Sequence, residues 1–310
     1  MKREFQQTTW DEGLGREWNN LLALAVAEDL GVAGDLTSLA LVPAAAMGRA
    51  AVVARRPGVL AGEAGAAMTL TAFDRGLRWT SAAKDGQAIV RGQVIGRIEG
   101  PARAMLAAER PLLNFLGRLS GIASHARRYV DAVAGTPTRI YDTRKTTPGW
   151  RKLEKYAVRC GGGCNHRAGL FEAVLIKDNH LALGAELSPR GLGGYSPAEA
   201  VVRAREFLES HLGPAGREVI VEIEVDTLAQ FDEVIAVGPD LVLLDNMAPA
   251  ELREAVARRD ARSPSIELEA SGGIDLGTVR ATAEAGVDRI SVGALTHSAV
   301  SLDFGLDWGA

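Results

Sequence analysis

Apolar positions in the first third of this 310-residue chain recur at two spacings. Trp18, Leu21, Leu22, Ala25, Val26 and Leu30 fall three or four residues apart, which predicts a helix over 18–30 ended by Gly31 and Gly34. Arg49–Leu60 and Ala88–Ile98 are rich in strand formers and broken by glycine, with Arg91-Gly92-Gln93 as the expected hairpin turn. Helical spacing returns from Ala102 to about Ala134. Pro111 falls inside that run, so either a kink or a helix-loop-helix is expected.

From Thr138 the pattern becomes a cycle. Strand-like runs appear at Arg139–Asp142, Ala173–Ile176, Glu218–Val225, Leu241–Leu244, Ile266–Ala270 and Arg289–Val292. Helical runs separate them at Trp150–Arg159, Ser196–Glu209, Leu228–Ala236, Pro249–Arg258 and Leu276–Ala285. Ser196-Pro197-Ala198-Glu199 reads as a capping box with proline at the first helical position. The lead-in Leu187–Pro197 reads as a surface loop. Such alternation implies parallel strands with right-handed crossovers, in a small barrel in preference to an open sheet.

Strand side chains alternate between two faces. In Glu218–Asp226 one face is Val219, Val221, Ile223 and Val225, whereas the other carries Glu218, Glu222, Glu224 and Asp226. Ile266–Ser271 repeats this with Glu267, Glu269 and Ser271. A lone buried charge is costly, so two readings stand. The acids are paired with cations inside a barrel, or they line a polar, ligand-filled mouth.

Composition narrows the classes. Hydrophobic residues at 47% and charged residues at 24% exclude a disordered chain. Thirty-five glycines and 5% aromatics suit tight strand–helix turns around an aliphatic core. The net charge of −4 argues against nucleic acid as a partner. No run is apolar enough for a membrane span, and the first residues are not expected to be a secretory signal. Cys160 and Cys164 read as reduced thiols of a cytoplasmic protein.

The charge is unevenly placed. Arg139–His180 holds nine Lys/Arg against four Asp/Glu, a local surplus of five. Thr143-Arg144-Lys145 and Lys177-Asp178-Asn179-His180 directly follow strands, where α/β enzymes hold their sites. Arg151, Lys152, Lys155 and Arg159 read as a solvated helix face. Ser271-Gly272-Gly273 and Val292-Gly293-Ala294 close the last two strands of the cycle, a frequent phosphate position in barrels. Together these features suit a small, multiply anionic substrate.

Several stretches then resemble the quinolinate phosphoribosyltransferase family: Glu109–Ala123 (ERPLLNFLGRLSGIA), Asp142–Gly149 (DTRKTTPG), Gly161–Arg167 (GGGCNHR) and Leu175–His180 (LIKDNH). Glu222–Asp226, Leu243–Asn246, Glu269–Gly273 and Val292–Ser298 follow in the family order, and the likeness extends back to Glu28–Gly31 and Gly34–Thr37. Leu187–Gly216 looks longer than usual, and Ala270 stands where serine or another small residue is common. A related branch associated with molybdate-transport operons shares the fold, but the intact TRKTTPG and NHR motifs favour the quinolinate enzyme.

The resemblance implies an α/β fold: an N-terminal α/β sandwich over 1–112, with tail 299–310 packing back on it, and an incomplete TIM-like α/β barrel over 113–298. It implies transfer of phosphoribosyl from 5-phosphoribosyl pyrophosphate to quinolinate with loss of CO₂, dependent on Mg²⁺. It implies a homodimer in which Arg110 reaches the partner's site. Arg144, Arg167, His166, Lys177 and that Arg110 would bind the two carboxylates, with Thr143 beside them. Lys145 would contact the pyrophosphate, and Glu224 and Asp245 would hold ribose hydroxyls or the metal, directly or indirectly. Ser271, Gly272, Gly273, Val292, Gly293 and Ala294 would cradle the 5-phosphate. Two rivals are a Schiff-base aldolase with Lys177 as nucleophile and a non-catalytic phosphometabolite-binding barrel.

Overall fold

A computed structural model describes residues 3–184 and 194–309. Contacts divide the chain into two compact units. The larger part of the N-terminal sequence, Gln7–Arg128, forms one unit with Lys145–Gly163 and Gly293–Ala310. The other comprises Met1–Gln6, Tyr129–Arg144 and Cys164–Val292. Where the sequence suggested a boundary at 112/113, contacts divide the chain at Arg128/Tyr129.

The first unit opens with α1 (Glu12–Leu30) and α2 (Leu36–Leu41). Helix α1 begins six residues before the periodic run because Asp11 caps it, accepting from the Leu14 N–H at 2.7 Å. Strands β1 (Met47–Ala54), β2 (Gly58–Val59), β3 (Arg78–Ser81), β4 (Ala88–Ile89) and β5 (Val94–Pro101) follow, with α3 (Ala66–Phe73) between β2 and β3. β12 (Phe304–Trp308) returns to pair antiparallel with β1, giving a sheet in the order β12-β1-β5-β3. The Arg91–Gln93 turn exists, with Gly92 at φ +84° and Gln93 N–H donating to Val90. It is not a hairpin turn: β4 pairs with β2, whereas β5 pairs with β1 and β3, so it passes the chain between two sheets.

Helix α4 (Ala102–Ala132) is continuous through Pro111, which removes the helix-loop-helix alternative. Proline inside a helix costs about 3 kcal/mol. Burial of Met105, Leu112, Leu116 and Leu119 on the same helix offsets that cost. The core of the unit joins Met105, Leu112 and Leu116 to Val52, Leu60, Leu70, Ile95 and Ile98. Helix α5 (Arg151–Cys160) belongs here by its contacts, although its place in the repeating pattern suggested the barrel. Lys155 is fully buried, so the expected solvated face of α5 does not extend to it. Burial pushes the Cys160 thiol up to about 12, an inert sulfur, and neither cysteine is in a disulfide.

The second unit holds the cycle. Its strands are β6 (Arg139–Tyr141), β7 (Val174–Ile176), β8 (Val221–Val225), β9 (Leu241–Asp245), β10 (Glu267–Ser271) and β11 (Arg289–Ser291). All pair in parallel, in the order β6-β11-β10-β9-β8-β7. First and last strands are neighbours, so the row curls into a ring with one break, between β6 and β7. That is the small barrel expected from the alternation, incomplete as the family resemblance implied. Its helices are α6 (Asp178–Leu183), α7 (Pro197–Leu212), α8 (Leu228–Ile235), α9 (Pro249–Arg262) and α10 (Val279–Ala283), while α11 (Ala294–His297) falls in the first unit. The capping box of α7 is formed: Ser196 Oγ accepts from Glu199 N–H at 3.3 Å and Glu199 accepts from Ser196 N–H at 2.8 Å. The first seven residues of the expected Leu187–Pro197 loop lie outside the described residues. Strand β8 starts three residues later than its pattern because Gly213–Glu218 forms 3₁₀ turns.

One feature of the barrel unit had no signal in the pattern. Phe5 packs into the interior with Tyr141, Ala173, Ile220 and Leu241. The fully buried Arg289 donates from Nε to Glu267 at 2.7 Å and lies over both the Phe5 and Tyr141 rings. Glu4 accepts from the Tyr141 hydroxyl at 2.7 Å. Among the described residues no helix is long and apolar enough to cross a membrane.

Candidate active site

The sequence-predicted residues of the barrel unit gather at the C-terminal ends of its strands. Thr143 and Arg144 follow β6, Lys177 follows β7, Glu224 is in β8, Asp245 ends β9, Ser271 ends β10 and Val292 follows β11. That end is where barrels carry their chemistry.

Two motifs lock each other in place. Asp142, fully buried, accepts from the Asn165 side chain at 2.6 Å and from the His166 backbone N–H at 2.9 Å. Cys164 bridges Tyr141, giving an N–H to Ile140 and accepting one from Asp142. The first acid of DTRKTTPG therefore fixes the turn that presents His166 and Arg167. Asp142 and Asn165 have structural roles, which a motif alone does not reveal.

Arg167 is buried and donates from Nη1 to the Ala173 carbonyl at 2.9 Å, while its Nε is buried without a hydrogen bond. Burial, then the neighbouring Arg144 charge, hold its guanidinium below the usual value, against the pull of Glu222 and Glu172. Two guanidiniums close enough to repel, one with an unused buried donor, make a strong anion site.

Of the two readings offered by the sequence, pairing with cations holds for Glu267 and Glu224, at different depths. Glu267, the first residue of β10, is paired with Arg289 and Arg139. Glu224 is paired with Lys177 near the open end, where the lysine side chain is 42% exposed. Between them Glu222 and Glu269, both fully buried, face one group: His166 Nε2 lies 3.1 Å from Glu222 and 3.6 Å from Glu269. Burial, then the Glu222 charge, push Glu269 up to about 7. Phe5 stacks on the His166 ring at 4.4 Å between centroids.

These three side chains have the composition of a metal site, but the hydrogen bonding does not fit one. His166 Nδ1 accepts from the Arg167 backbone N–H at 2.8 Å. An imidazolium has no acceptor, so the ring is neutral with its hydrogen on Nε2, pointed at the carboxylates. A nitrogen carrying hydrogen cannot ligate. In this arrangement His166 is therefore an uncharged donor between two acids rather than one more cation.

The glycine turns differ in purpose. Gly272 sits at φ +92°, and a Cβ there would come within 2.9 Å of the Asn246 backbone nitrogen. Asn246 N–H in turn donates to the Ser271 carbonyl at 2.9 Å, and the Asn246 side chain donates to Asp245 at 2.6 Å. The β10 turn is thus seated against the β9 turn that carries Asp245, while Gly273, at φ +60°, faces open space. In the other unit, a Cβ on Gly293 would meet Lys145 Cδ at 2.8 Å. Only glycine lets the lysine stem lie along that turn, which leads into Ala294 and α11. Arg110, exposed on α4, lines a cleft of about 400 Å³ with Asn114, Arg118, Thr147, Trp150 and Asp303.

A parallel α/β barrel with paired arginines, a lysine–glutamate pair and an open glycine turn at its strand ends defines the class: a barrel protein built around a small polyanion. Comparison with known proteins gives the family. Residues 122–307 match the model of the quinolinate phosphoribosyl transferase C-terminal domain, and residues 35–120 match the N-terminal domain. The chain is 43% identical over 285 residues to the nicotinate-nucleotide pyrophosphorylase [carboxylating] of Mycobacterium leprae, covering 91% of this chain and 94% of that one. It is 40% identical to a probable enzyme of the same name from Bacillus subtilis, over 90% of this chain and 89% of the other. The solved structure of the nicotinate-nucleotide pyrophosphorylase from Francisella tularensis superposes with a TM-score of 0.85 at 34% identity, covering 98% and 99% of the two chains. The chain belongs to the quinolinate phosphoribosyltransferase family.

Proposed function

We propose that this protein joins quinolinate to 5-phosphoribosyl pyrophosphate, releasing pyrophosphate and CO₂ and leaving nicotinate mononucleotide, a step of NAD biosynthesis. The observation that carries the reading is the Arg144–Arg167 pair, whose mutual repulsion and unused Nε donor call for a bound anion. Quinolinate supplies two adjacent carboxylates. Lys177, already engaged by Glu224, adds a third cation. That engagement counts against Lys177 as an aldolase nucleophile, which needs an uncharged amine.

The pyridine nitrogen attacks the anomeric carbon as pyrophosphate leaves. Its lone pair carries no proton, so the step needs no general base. The site's tasks are alignment and charge stabilisation. Glu224 and Asp245 lie beside the ribose and stabilise its developing positive charge, while Lys145 meets the leaving pyrophosphate. Ser271–Gly273 and Val292–Ala294 receive the 5-phosphate. The bond to the 2-carboxylate then breaks with its electron pair left on the ring carbon, a carbanion stabilised by the adjacent quaternised nitrogen, and a proton adds to that carbon once CO₂ has left.

Oxygen donors of Glu224 and Asp245 fit Mg²⁺, which prefers one or two carboxylates with substrate phosphates completing its shell. When bound it neutralises the leaving pyrophosphate. The protein acts as a homodimer in the cytoplasm, with Arg110 serving the partner's site. Exposed Leu36, Leu39 and Leu41 on α2 offer apolar surface for a second copy. Pyrophosphate release on mixing quinolinate, 5-phosphoribosyl pyrophosphate and Mg²⁺ tests the reaction, and no release overturns it. Arg144→Ala is expected to cost about 2–5 kcal/mol in kcat/KM. Near-wild-type kcat/KM in a folded variant would remove Arg144 from the site.

A further inference from the structure

The loop from Lys145 to Gly149 carries the lysine assigned to pyrophosphate, yet its conformation is set from outside the loop. Glu154, on the first turn of α5, is fully buried. One oxygen accepts from Thr147 N–H at 3.1 Å. The other accepts from Thr147 Oγ1 at 2.8 Å and from Arg118 at 2.6 Å. Arg118, from the middle of α4, also donates to the Thr296 carbonyl at 2.9 Å and the Ala299 carbonyl at 3.1 Å. The circuit closes at Thr296: its hydroxyl lies 2.7 Å from the Lys145 carbonyl and 3.2 Å from that of Gly293. One hydroxyl thus ties the Lys145 backbone to the turn along which the lysine stem lies.

A buried carboxylate with three donors and an arginine that also donates to two backbone carbonyls and to Thr147 Oγ1 form a rigid frame. Its hydrogen bonds to the loop fall on Lys145 and Thr147. We infer that Glu154, Arg118 and Thr296 are positioning residues that hold Lys145 for the pyrophosphate-bearing substrate, and that they act on that substrate rather than on quinolinate. The inference rests on the assignment of Lys145 to pyrophosphate.

Thr296→Val removes one hydroxyl at nearly constant volume. Steady-state constants for both substrates, and binding of Mg²⁺-pyrophosphate by titration calorimetry, are measured for the wild type, Thr296→Val and Thr296→Ser. The expected result is a rise of about tenfold in KM for 5-phosphoribosyl pyrophosphate and a matching loss of pyrophosphate affinity, the scale of one hydrogen bond. KM for quinolinate stays within twofold, and Thr296→Ser restores both values. Equal rises in both KM values, or serine failing to rescue, overturn the positioning role in favour of a structural one. Unchanged constants in Thr296→Val overturn it outright. If the wild-type protein shows no turnover, the proposed reaction fails on its own, and the pyrophosphate titration still decides the inference: weakening in Thr296→Val supports it, no change refutes it.

Discussion

Among the described residues, Glu154 and the Glu222–Glu269 pair are fully buried acids built in opposite ways. Glu154 has a full set of donors: one backbone N–H, one hydroxyl and one guanidinium, all at 2.6–3.1 Å. Glu222 and Glu269 both face the His166 ring nitrogen, and a further donor beside them is the Ser291 hydroxyl at Glu269. Burial penalises a charge unless hydrogen bonds replace its water. Where the donors are supplied, the acid is a fixed strut. Where donors are fewer, burial and the neighbouring carboxylate win, and Glu269 is pushed up to about 7. The strut lies in the unit that holds Lys145, and the under-donated pair lies beneath His166 in the barrel.

The largest break in that contrast would come from Glu154→Ala. It leaves Arg118 mostly buried without its carboxylate, so about 3–5 kcal/mol of stability should be lost at any pH from 6 to 9. Urea midpoints would show it, and a loss under about 1 kcal/mol would mean that Glu154 is no strut.

Glu269→Gln should act with the opposite sign above neutrality. The folded value of Glu269 is about 7 against an ordinary 4.5, so between these the native chain keeps a proton that the unfolded chain releases. Its contribution is full below about pH 4.5, falls as pH rises to 7, and is flat beyond. Over that window the wild type should lose up to about 3 kcal/mol that the glutamine variant keeps. Unfolding measured at pH 5 and pH 8 checks this, and parallel slopes for the two proteins would place the proton elsewhere.

The smallest effect is expected from Phe5→Leu. It keeps an apolar plug but loses the stacking on His166 and the Arg289 contact, about 1 kcal/mol together, or a melting shift of about 2–4 °C. A shift below one degree would show that the aromatic ring adds nothing to plain burial in holding His166.

Much of the fold was legible because period and glycine placement act locally. All six barrel strands begin within three residues of their sequence pattern, since each is a short apolar run closed by a polar or glycine turn. The Ser196–Glu199 box is equally local. Where local signals named a turn but not its partners, they failed: Arg91–Gln93 reads as a hairpin, but which strands β4 and β5 join is settled by the packing of the sheets. Phe5 carries no signal at all, since nothing near residue 5 shows that it packs against a ring 161 positions along the chain.

The sequence by itself determined the family, the parallel α/β cycle, and the concentration of cations in Arg139–His180. Those follow from residue type and spacing, which survive without coordinates. Tertiary structure alone decided what each charge does. Alternation put Glu222, Glu224, Glu267 and Glu269 on polar faces but could not rank their surroundings. Folding gave Glu267 two arginines, Glu224 a lysine, and Glu222 and Glu269 a shared neutral histidine in place of a cation of their own. A charge's state depends on burial and on donors brought from distant segments, and chain order does not encode that distance.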